Sequence, residues 1–212
     1  MKKKLFLLSL IFALCALFAS SSVFSQEEIL TINNPLNINV KEKSVSILAE
    51  VNGKHPGRTH HGIVSKGGKL VYKAILASFV DPKTFHESLL SIGLKPGNNM
   101  TMKNKEKTFV EGDLLDVYVT WKDAKRNYRL DEVIEDSNGK PFAIRFGGNL
   151  VNALKKKTGC LVCLDSCPVG ITSNSAYTYG AIDLRNEVIF TANKELLPPD
   201  GTLVVITLKA KK

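Results

Sequence analysis

The sequence has few cysteines and lacks the short motifs that mark most enzyme classes. Four cysteines and one tryptophan occur among its 212 residues. The chain has no nucleophile elbow, no HExxH motif and no ordered Ser/His/Asp set, so nothing in it supports a hydrolase. The Walker and dinucleotide-binding patterns are also missing, which leaves nucleotide binding without support. There is no internal repeat and no low-complexity linker, and the length fits a single domain.

The charge balance is basic but gives little indication of nucleic-acid binding. The formal net charge is +9 at pH 7. The lysines are scattered apart from two short stretches, residues 155–157 and 209–212, and few aromatic residues alternate with them. A nucleic-acid-binding face normally clusters its positive charge and adds stacking rings. We interpret the lysines as a solvated surface and predict no nucleic-acid partner.

The N-terminal residues have the three parts of a secretory signal peptide. MKKK supplies a basic start, residues 5–18 form an apolar run, and small residues precede the polar Gln26. This pattern predicts a Sec-type signal peptide at residues 1–25 and export to the periplasm or the exterior. Membrane contact is predicted only through this signal, the alternative being an uncleaved anchor. Cys15 lies inside the signal and takes no part in the chemistry of the mature chain.

Two segments of the mature chain have helix patterns. The clearer helix is predicted at residues 82–92, because Asp81 suits the N-cap position and Gly93 supplies the stop. A shorter helix is predicted at residues 149–157, with Gly159 as its left-handed terminator. The cysteines that follow are then expected in a loop.

The remaining mature chain is dominated by strand patterns. Residues 65–69 predict a hairpin turn between residues 62–64 and 70–72. Alternating or β-branched residues predict further strands at residues 45–51, 116–121, 142–146, 177–184, 187–190 and 202–208. Together these elements predict an α+β fold, a single domain of mostly antiparallel strands with two or three short helices.

Three cysteines with the spacing C-x2-C-x3-C-P are the strongest candidates for a functional site. Cys160, Cys163 and Cys167 match the last part of a bacterial ferredoxin run, which favours an iron–sulfur cluster. Lys157 stands where the first cysteine of that run belongs, so a fourth ligand is needed from elsewhere. The export signal has no Arg pair, which argues against the export of a prefolded cluster protein.

A zinc or copper site is a second interpretation of the same cysteines. Three thiolates and one imidazole make a tetrahedral Cys3His set for zinc, and soft thiolates also suit Cu(I). The sequence offers four candidates for the imidazole: His55, His60, His61 and His86.

Thiol chemistry and a structural staple are the third and fourth interpretations. Cys160 and Cys163 have the C-x2-C spacing of dithiol oxidoreductases, with Cys167 as an alternative partner. In an oxidising compartment two of these cysteines would form a disulfide, although so short a loop gains little stability from one. The odd thiol leaves an intermolecular bond, and hence a homodimer, open.

A few polar residues near the cysteines are weaker candidates. Arg145, Gly147 and Gly148 precede the second helix and are candidates for an anion site. Asp165 lies between the cysteines, where it is expected to accept hydrogen bonds from backbone N–H groups or to act in catalysis. Asn174 belongs to a hydroxyl-rich stretch that would suit turn hydrogen bonds or a small polar ligand.

Several segments together resemble the YdjY-domain family. They are GNNMT at residues 97–101, VEGDLLDVYVTW at 110–121, DSNGKP at 136–141, RFGGNL at 145–150, TGCLVCLDSCPVGITSN at 158–174 and YTYG at 177–180. The resemblance covers the mature chain, residues 26–212, and implies an exported bacterial protein without an established activity. Some members are labelled ferredoxin-like because of their cysteines.

The sequence therefore predicts an exported protein whose cysteine loop, residues 158–174, is redox-active or binds a metal. An iron–sulfur cluster, zinc and copper are the candidate cofactors, and a redox partner protein is the expected partner. The alternative is a non-enzymatic binding or assembly module in which the cysteines form a structural disulfide or a zinc staple. Metal content and mapping of the three thiols distinguish the two.

Overall fold

A computed structural model describes residues 30–54 and 57–211 of the chain. The predicted signal peptide, residues 1–25, and the candidate ligand His55 lie outside the described residues. The twelve strands are β1 Leu36–Asn39, β2 Ser44–Val51, β3 His61–Ser65, β4 Leu76–Ser78, β5 Leu114–Trp121, β6 Tyr128–Arg129, β7 Ile134–Asp136, β8 Ile144–Arg145, β9 Cys160–Cys163, β10 Thr172–Asn174, β11 Phe190–Ala192 and β12 Leu203–Ala210. The helices are α1 Pro82–Ser91, α2 Leu130–Val133 and α3 Leu150–Lys156, with one 3-10 turn at Val71–Lys73.

Eight of the strands form a closed ring. The order of hydrogen-bonded neighbours is β2, β12, β5, β8, β10, β9, β3 and β4, and β4 pairs back onto β2. The pairs β9–β10 and β3–β4 are parallel, whereas β2, β12 and β5 pair antiparallel. β1 and β6 extend the sheet beside β2 and β5, and β7 pairs with β11 separately.

The strands β2, β12 and β5, called here the alternating strands, follow the pattern that their sequences predict. Ile206 on β12 lies opposite Ile47 on β2 and Val119 on β5, and all three side chains are fully buried. Neighbouring positions point the other way, where Ser46 and Thr207 share a hydrogen bond between their hydroxyls at 2.8 Å. Because side chains alternate between the faces of a strand, the apolar set forms cross-strand rows in the main core.

Helix α1 forms where the sequence predicts it. The carboxylate of Asp81 accepts hydrogen bonds from the backbone N–H groups of Lys83 and Thr84, which satisfies donors at the N-terminus. Its buried apolar face carries Phe85 and Leu89 into the main core. α1 packs against α3 and against the strands β2 and β9.

The prediction of an α+β fold is wrong. The three α-helices contain only ten, four and seven residues, and the fold is mostly strand, organised around the closed ring. Helices do form within the predicted segments 82–92 and 149–157, as α1 and α3, but they are too short to form a layer of their own. Ring closure depends on long-range pairing of β4 with β2, which has no local sequence signal.

Two local predictions are also wrong. Residues 62–64 and 70–72 do not form a hairpin, because β3 pairs in parallel with β4 and residues 71–73 form the 3-10 turn. Residues 177–184 form turns instead of a strand. There Tyr177 is buried, and its hydroxyl donates to the carboxylate of Asp136 at 2.8 Å, so tertiary contacts decide the conformation.

Candidate functional site at the buried cysteine strand

The first two cysteines of the cluster lie on a strand inside the sheet and not in a loop. Cys160 and Cys163 are the end residues of β9, which runs between β3 and β10. All four residues of β9 are fully buried. The prediction of a cysteine loop at residues 158–174 is therefore corrected. Gly159 does adopt a left-handed conformation with φ of 82°, but the chain enters a buried strand directly after it.

A bulge in β9 allows its two cysteines to meet. Residues three apart on a regular strand point to opposite faces of the sheet. Two adjacent residues of β3 pair with Val162 and Cys160, so Leu161 is an extra residue in β9. One extra residue reverses the alternation and turns Cys160 and Cys163 toward the same side. Their sulfurs form a disulfide bond, with the Cα atoms 6.3 Å apart.

The third cysteine packs against this disulfide but is not bonded to it. Cys167 is a buried free thiol that shares one apolar cluster with Cys160, Cys163, Val64 and Ala74. Burial, and then the neighbouring carboxyl of Asp165, raise the pKa of the Cys167 thiol to about 12. The thiol is therefore protonated at neutral pH, and a protonated thiol is a poor nucleophile.

Two adjacent histidines connect the cysteine strand with the surface. Nδ1 of His61 lies 3.9 Å from the sulfur of Cys160, and the His60 ring centroid lies 3.8 Å from that of His61. Nδ1 of His60 lies 3.0 Å from a carboxylate oxygen of the exposed Asp183. Burial lowers the pKa of His60, and Asp183 opposes that shift. Among the described histidines, His61 is thus the one that lies beside a cysteine sulfur.

Asp165 lies in the same buried region. One carboxyl oxygen, Oδ2, accepts a hydrogen bond at 2.9 Å from the backbone N–H of Gly180, which is the last residue of the YTYG stretch. Burial, partly offset by this hydrogen bond, raises the pKa of Asp165 to about 7. The carboxyl of Asp165 is therefore partly protonated at neutral pH.

Unsatisfied polar atoms are concentrated at the cysteine segment, residues 158–174. Among the described residues, five buried side-chain N or O atoms have no hydrogen-bond partner. Four belong to this segment, namely Thr158 Oγ1, Asp165 Oδ1, Ser173 Oγ and Asn174 Nδ2. A buried polar atom without a partner costs free energy, about 1–3 kcal/mol by typical values. The segment therefore carries polar groups that its own packing leaves unpaired.

The residues predicted to bind an anion make hydrogen bonds within the protein. The guanidinium of Arg145 donates to the carbonyl of Gly112 at 2.9 Å and to the hydroxyl of Ser175 at 3.2 Å. The N–H groups of Gly147 and Gly148 donate to backbone carbonyls. The N–H groups that suggested an anion site therefore already donate hydrogen bonds to other groups of the protein.

The other predicted ligands lie in different surroundings. The ring of His86 on α1 is 5.2 Å from the ring of Phe146, and His86 lines an open pocket of about 330 Å³ with Asn98 and Asn149. Burial lowers the pKa of His86. Asn174 lies on β10, where its Oδ1 accepts a hydrogen bond from a backbone N–H in the segment before β8 at 3.0 Å.

The sequence pattern missed two side chains that hold the cysteine segment. Nδ2 of Asn149 donates to the carbonyls of Cys167 at 3.1 Å and Gly170 at 3.2 Å. The hydroxyl of Ser166 accepts a hydrogen bond from the backbone N–H of Val110 at 3.0 Å. Asn149 was assigned to the second helix, but it precedes that helix in a left-handed conformation with φ of 51°. Asparagine is one of the residues that adopt the left-handed conformation readily, but no local pattern indicates which distant carbonyls the Asn149 side chain contacts.

Comparison with known proteins assigns the family. The model of the YdjY domain matches residues 36–209. The chain belongs to the YdjY domain family. It is similar to the Escherichia coli (strain K12) protein named "Uncharacterized protein YdjY", with 50% identity over 181 residues, which cover 85% of this chain and 80% of that protein. No solved structure gives a significant match.

The family resemblance inferred from the sequence is thus confirmed. The YdjY domain extends from the first residue of β1 almost to the end of β12, so the cysteine strand and its neighbours lie within it. In the part of the chain that the structure describes, no group of three or more His, Cys, Asp or Glu residues is arranged to hold a metal ion. Within the same ranges, no helix has the length and hydropathy that a membrane crossing requires.

Proposed function

We propose that this protein is an exported, non-enzymatic binding or assembly module in which Cys160–Cys163 is a structural disulfide. The observation that carries the proposal is the burial of all three sulfurs, with two of them bonded to each other. A catalytic dithiol needs an accessible thiolate, whereas the remaining thiol of Cys167 is buried and protonated. A disulfide also fits the oxidising compartment to which the predicted signal peptide directs the chain.

Close packing further disfavours a cluster cofactor at these cysteines. A Cβ atom added to Gly170 would lie 2.8 Å from the sulfur of Cys163, so this sulfur is tightly packed on the Gly170 side. An iron–sulfur cubane needs its ligands arranged around it, whereas two of the three sulfurs here are bonded to each other. The residues present therefore do not fit an iron–sulfur cluster, and no electron-transfer step is derived from one.

Thiol mapping on the mature protein, isolated from the envelope fraction without reductant, tests the structural disulfide. We expect no alkylation in the native state and one modified residue, Cys167, after denaturation. Reduction in denaturant should then expose Cys160 and Cys163 as well. Rapid alkylation of any of the three in the native protein would contradict the proposal, and so would a mature protein that remains in the cytoplasm.

A second candidate is thiol transfer, which the packing of Cys167 against the disulfide favours. The sulfur of Cys167 would attack the sulfur of Cys163 as its thiol proton passes to the departing sulfur of Cys160, so that a Cys163–Cys167 bond replaces the Cys160–Cys163 bond. No net oxidation occurs, and a partner dithiol would supply two electrons and two protons for reduction. The variant Cys160→Ala tests the geometry under oxidising conditions. Formation of a Cys163–Cys167 bond supports this candidate, and two persistent free thiols reject it.

A further inference from the structure

We propose that the chain, when the disulfide is reduced, binds one Zn²⁺ ion at a four-ligand site formed by Cys160, Cys163, Cys167 and His61. The site extends the proposed structural role, because zinc would then hold the same segment that the disulfide holds in the oxidised protein. Zinc accepts three thiolates and one imidazole in tetrahedral geometry.

The position of His61 is the first argument for this site. Its Nδ1 lies 3.9 Å from the sulfur of Cys160. With a bond of about 2.1 Å to nitrogen and about 2.3 Å to sulfur, two tetrahedral zinc ligands are about 3.6 Å apart. The observed separation needs only a small adjustment to reach that value. His60 instead contacts Asp183, and His86 packs beside Phe146, so the fold selects His61 among the described histidines.

The arrangement of the sulfurs is the second argument. The bulge at Leu161 turns Cys160 and Cys163 to one side, and Cys167 packs in the same cluster. The disulfide withholds Cys160 and Cys163, which leaves fewer than the three ligands that a metal-holding group requires in the oxidised chain. Reduction by a dithiol breaks the sulfur–sulfur bond with two electrons and two protons. Zinc then replaces the three thiol protons, which pass to solvent, and a single ion needs little volume beyond that of its ligands.

The unpaired polar atoms of the segment supply a third argument. The sulfur of Cys163 and the hydroxyl oxygen of Ser173 both lie 2.8 Å from the point where a Cβ of Gly170 would be. The Ser173 hydroxyl is buried and has no hydrogen-bond partner among the described residues. A zinc-bound thiolate accepts hydrogen bonds from such neighbouring donors, and these bonds orient the ligand. In the disulfide form this hydroxyl is not hydrogen-bonded to the Cys163 sulfur, so the bond would form only as the sulfur shifts on reduction and zinc binding.

The surrounding charge is compatible with the site. Three thiolates and one Zn²⁺ ion leave one net negative charge. The ammonium group of Lys105 lies 3.9 Å from the centroid of the Tyr179 ring, which packs against the cysteine cluster.

Zinc titration of the full mature chain, refolded anaerobically with a phosphine reductant, tests the site. We expect one Zn²⁺ per chain in competition with a chromophoric chelator, and Co²⁺ in place of zinc should give thiolate-to-cobalt charge-transfer absorption. His61→Gln should weaken zinc affinity about 100-fold, since even the loss of a group behind a ligand costs 10–100-fold. The neighbouring substitution His60→Gln is the matched control and should leave affinity unchanged.

Two results would overturn the proposal. The first is a reduced native chain that binds no more zinc than the variant with Cys160→Ala and Cys163→Ala. The second is a folded His61→Gln variant that binds zinc as tightly as the His60→Gln variant. If His61→Gln does not fold, Cys167→Ser decides, because loss of the third thiolate should lower affinity by a similar factor. Alkylation of the oxidised protein is a separate measurement, so the zinc site and the structural disulfide can fail independently.

Discussion

Two groups of three strands in the same ring are buried in different ways. The alternating strands β2, β12 and β5 bury one face and leave the other partly exposed. The strands β3, β9 and β10, called here the two-sided strands, are buried at every position. They nevertheless carry polar side chains, among them His61, Thr172 and Ser173. The alternating strands thus account for ordinary core stability, whereas the two-sided strands hold polar groups that need specific partners.

The largest expected effect concerns Asp165 in the turn that follows β9. Its pKa is about 7 in the folded protein, against 3.8 for the ordinary group. Between pH 4 and pH 7, the folded state therefore keeps a proton on Asp165 that the unfolded state has already released. This contribution to stability is complete below pH 4 and is lost as the pH rises through 7, and it amounts to about 4 kcal/mol.

Urea unfolding of the disulfide-bonded protein at several pH values checks this prediction, with Asp165→Asn as the comparison. Asn keeps an oxygen for the N–H of Gly180 but cannot ionise. Asp183 and Arg185 also act on Asp165, in opposite directions, and both remain in the variant. The native protein should lose stability relative to the variant between pH 4 and pH 7. Parallel pH profiles would mean that Asp165 titrates normally.

The next effect belongs to the alternating strands. Ile47 is fully buried between β12 and the main core, so Ile47→Ala should lower the free energy of unfolding by about 3 kcal/mol through lost burial and a cavity. Its neighbour Ser46 points to the other face, where its hydroxyl contacts Thr207. Ser46→Ala should cost about 1 kcal/mol or less. Equal losses in denaturant unfolding would contradict the one-sided burial.

The same contrast determines how far the sequence alone could lead. Strands at residues 45–51, 116–121 and 202–208 were predicted correctly, because burial of one face leaves a period of two in the sequence. On β9 every residue is buried, so no alternation marks CLVC as a strand. The spacing of the cysteines identified the cluster. The spacing could not indicate the bulge that brings Cys160 and Cys163 together, because this bulge depends on how β9 pairs with β3.

Ring closure and the choice of the histidine beside the cysteines could not be predicted from the sequence for a similar reason. The pairing of β4 with β2 joins residues distant in sequence, and it turns a sheet with two helices into a mostly-strand ring. The sequence offers four histidines as partners of the cysteines, and its pattern does not decide among them. Only the register of β3 against β9 places His61 opposite Cys163 and beside the sulfur of Cys160.

A glycine substitution measures how tightly the cysteine cluster is packed. A Cβ at position 170 would lie 2.8 Å from both the sulfur of Cys163 and the hydroxyl of Ser173. Gly170→Ala should therefore cost about 2 kcal/mol through overpacking. Gly67 is a matched control, because nothing lies within 4 Å of its missing Cβ. Gly67→Ala should leave the melting temperature close to that of the native protein, and an equally small change for Gly170→Ala would imply a loosely packed cluster.

Control substitutions aside, the smallest effect is expected for the disulfide itself. Cys160 and Cys163 are only three residues apart, and the entropic gain of a cross-link grows with the length of the loop that it closes. The variant with Cys160→Ala and Cys163→Ala should therefore lose only about 1.5 kcal/mol in free energy of unfolding, measured at pH 7 without reductant. Cys167→Ala, which removes a buried sulfur but no cross-link, separates packing from the bond. If the double variant loses far more than this, the disulfide also fixes the bulged register of β9, and the polar groups of the two-sided strands depend on that register.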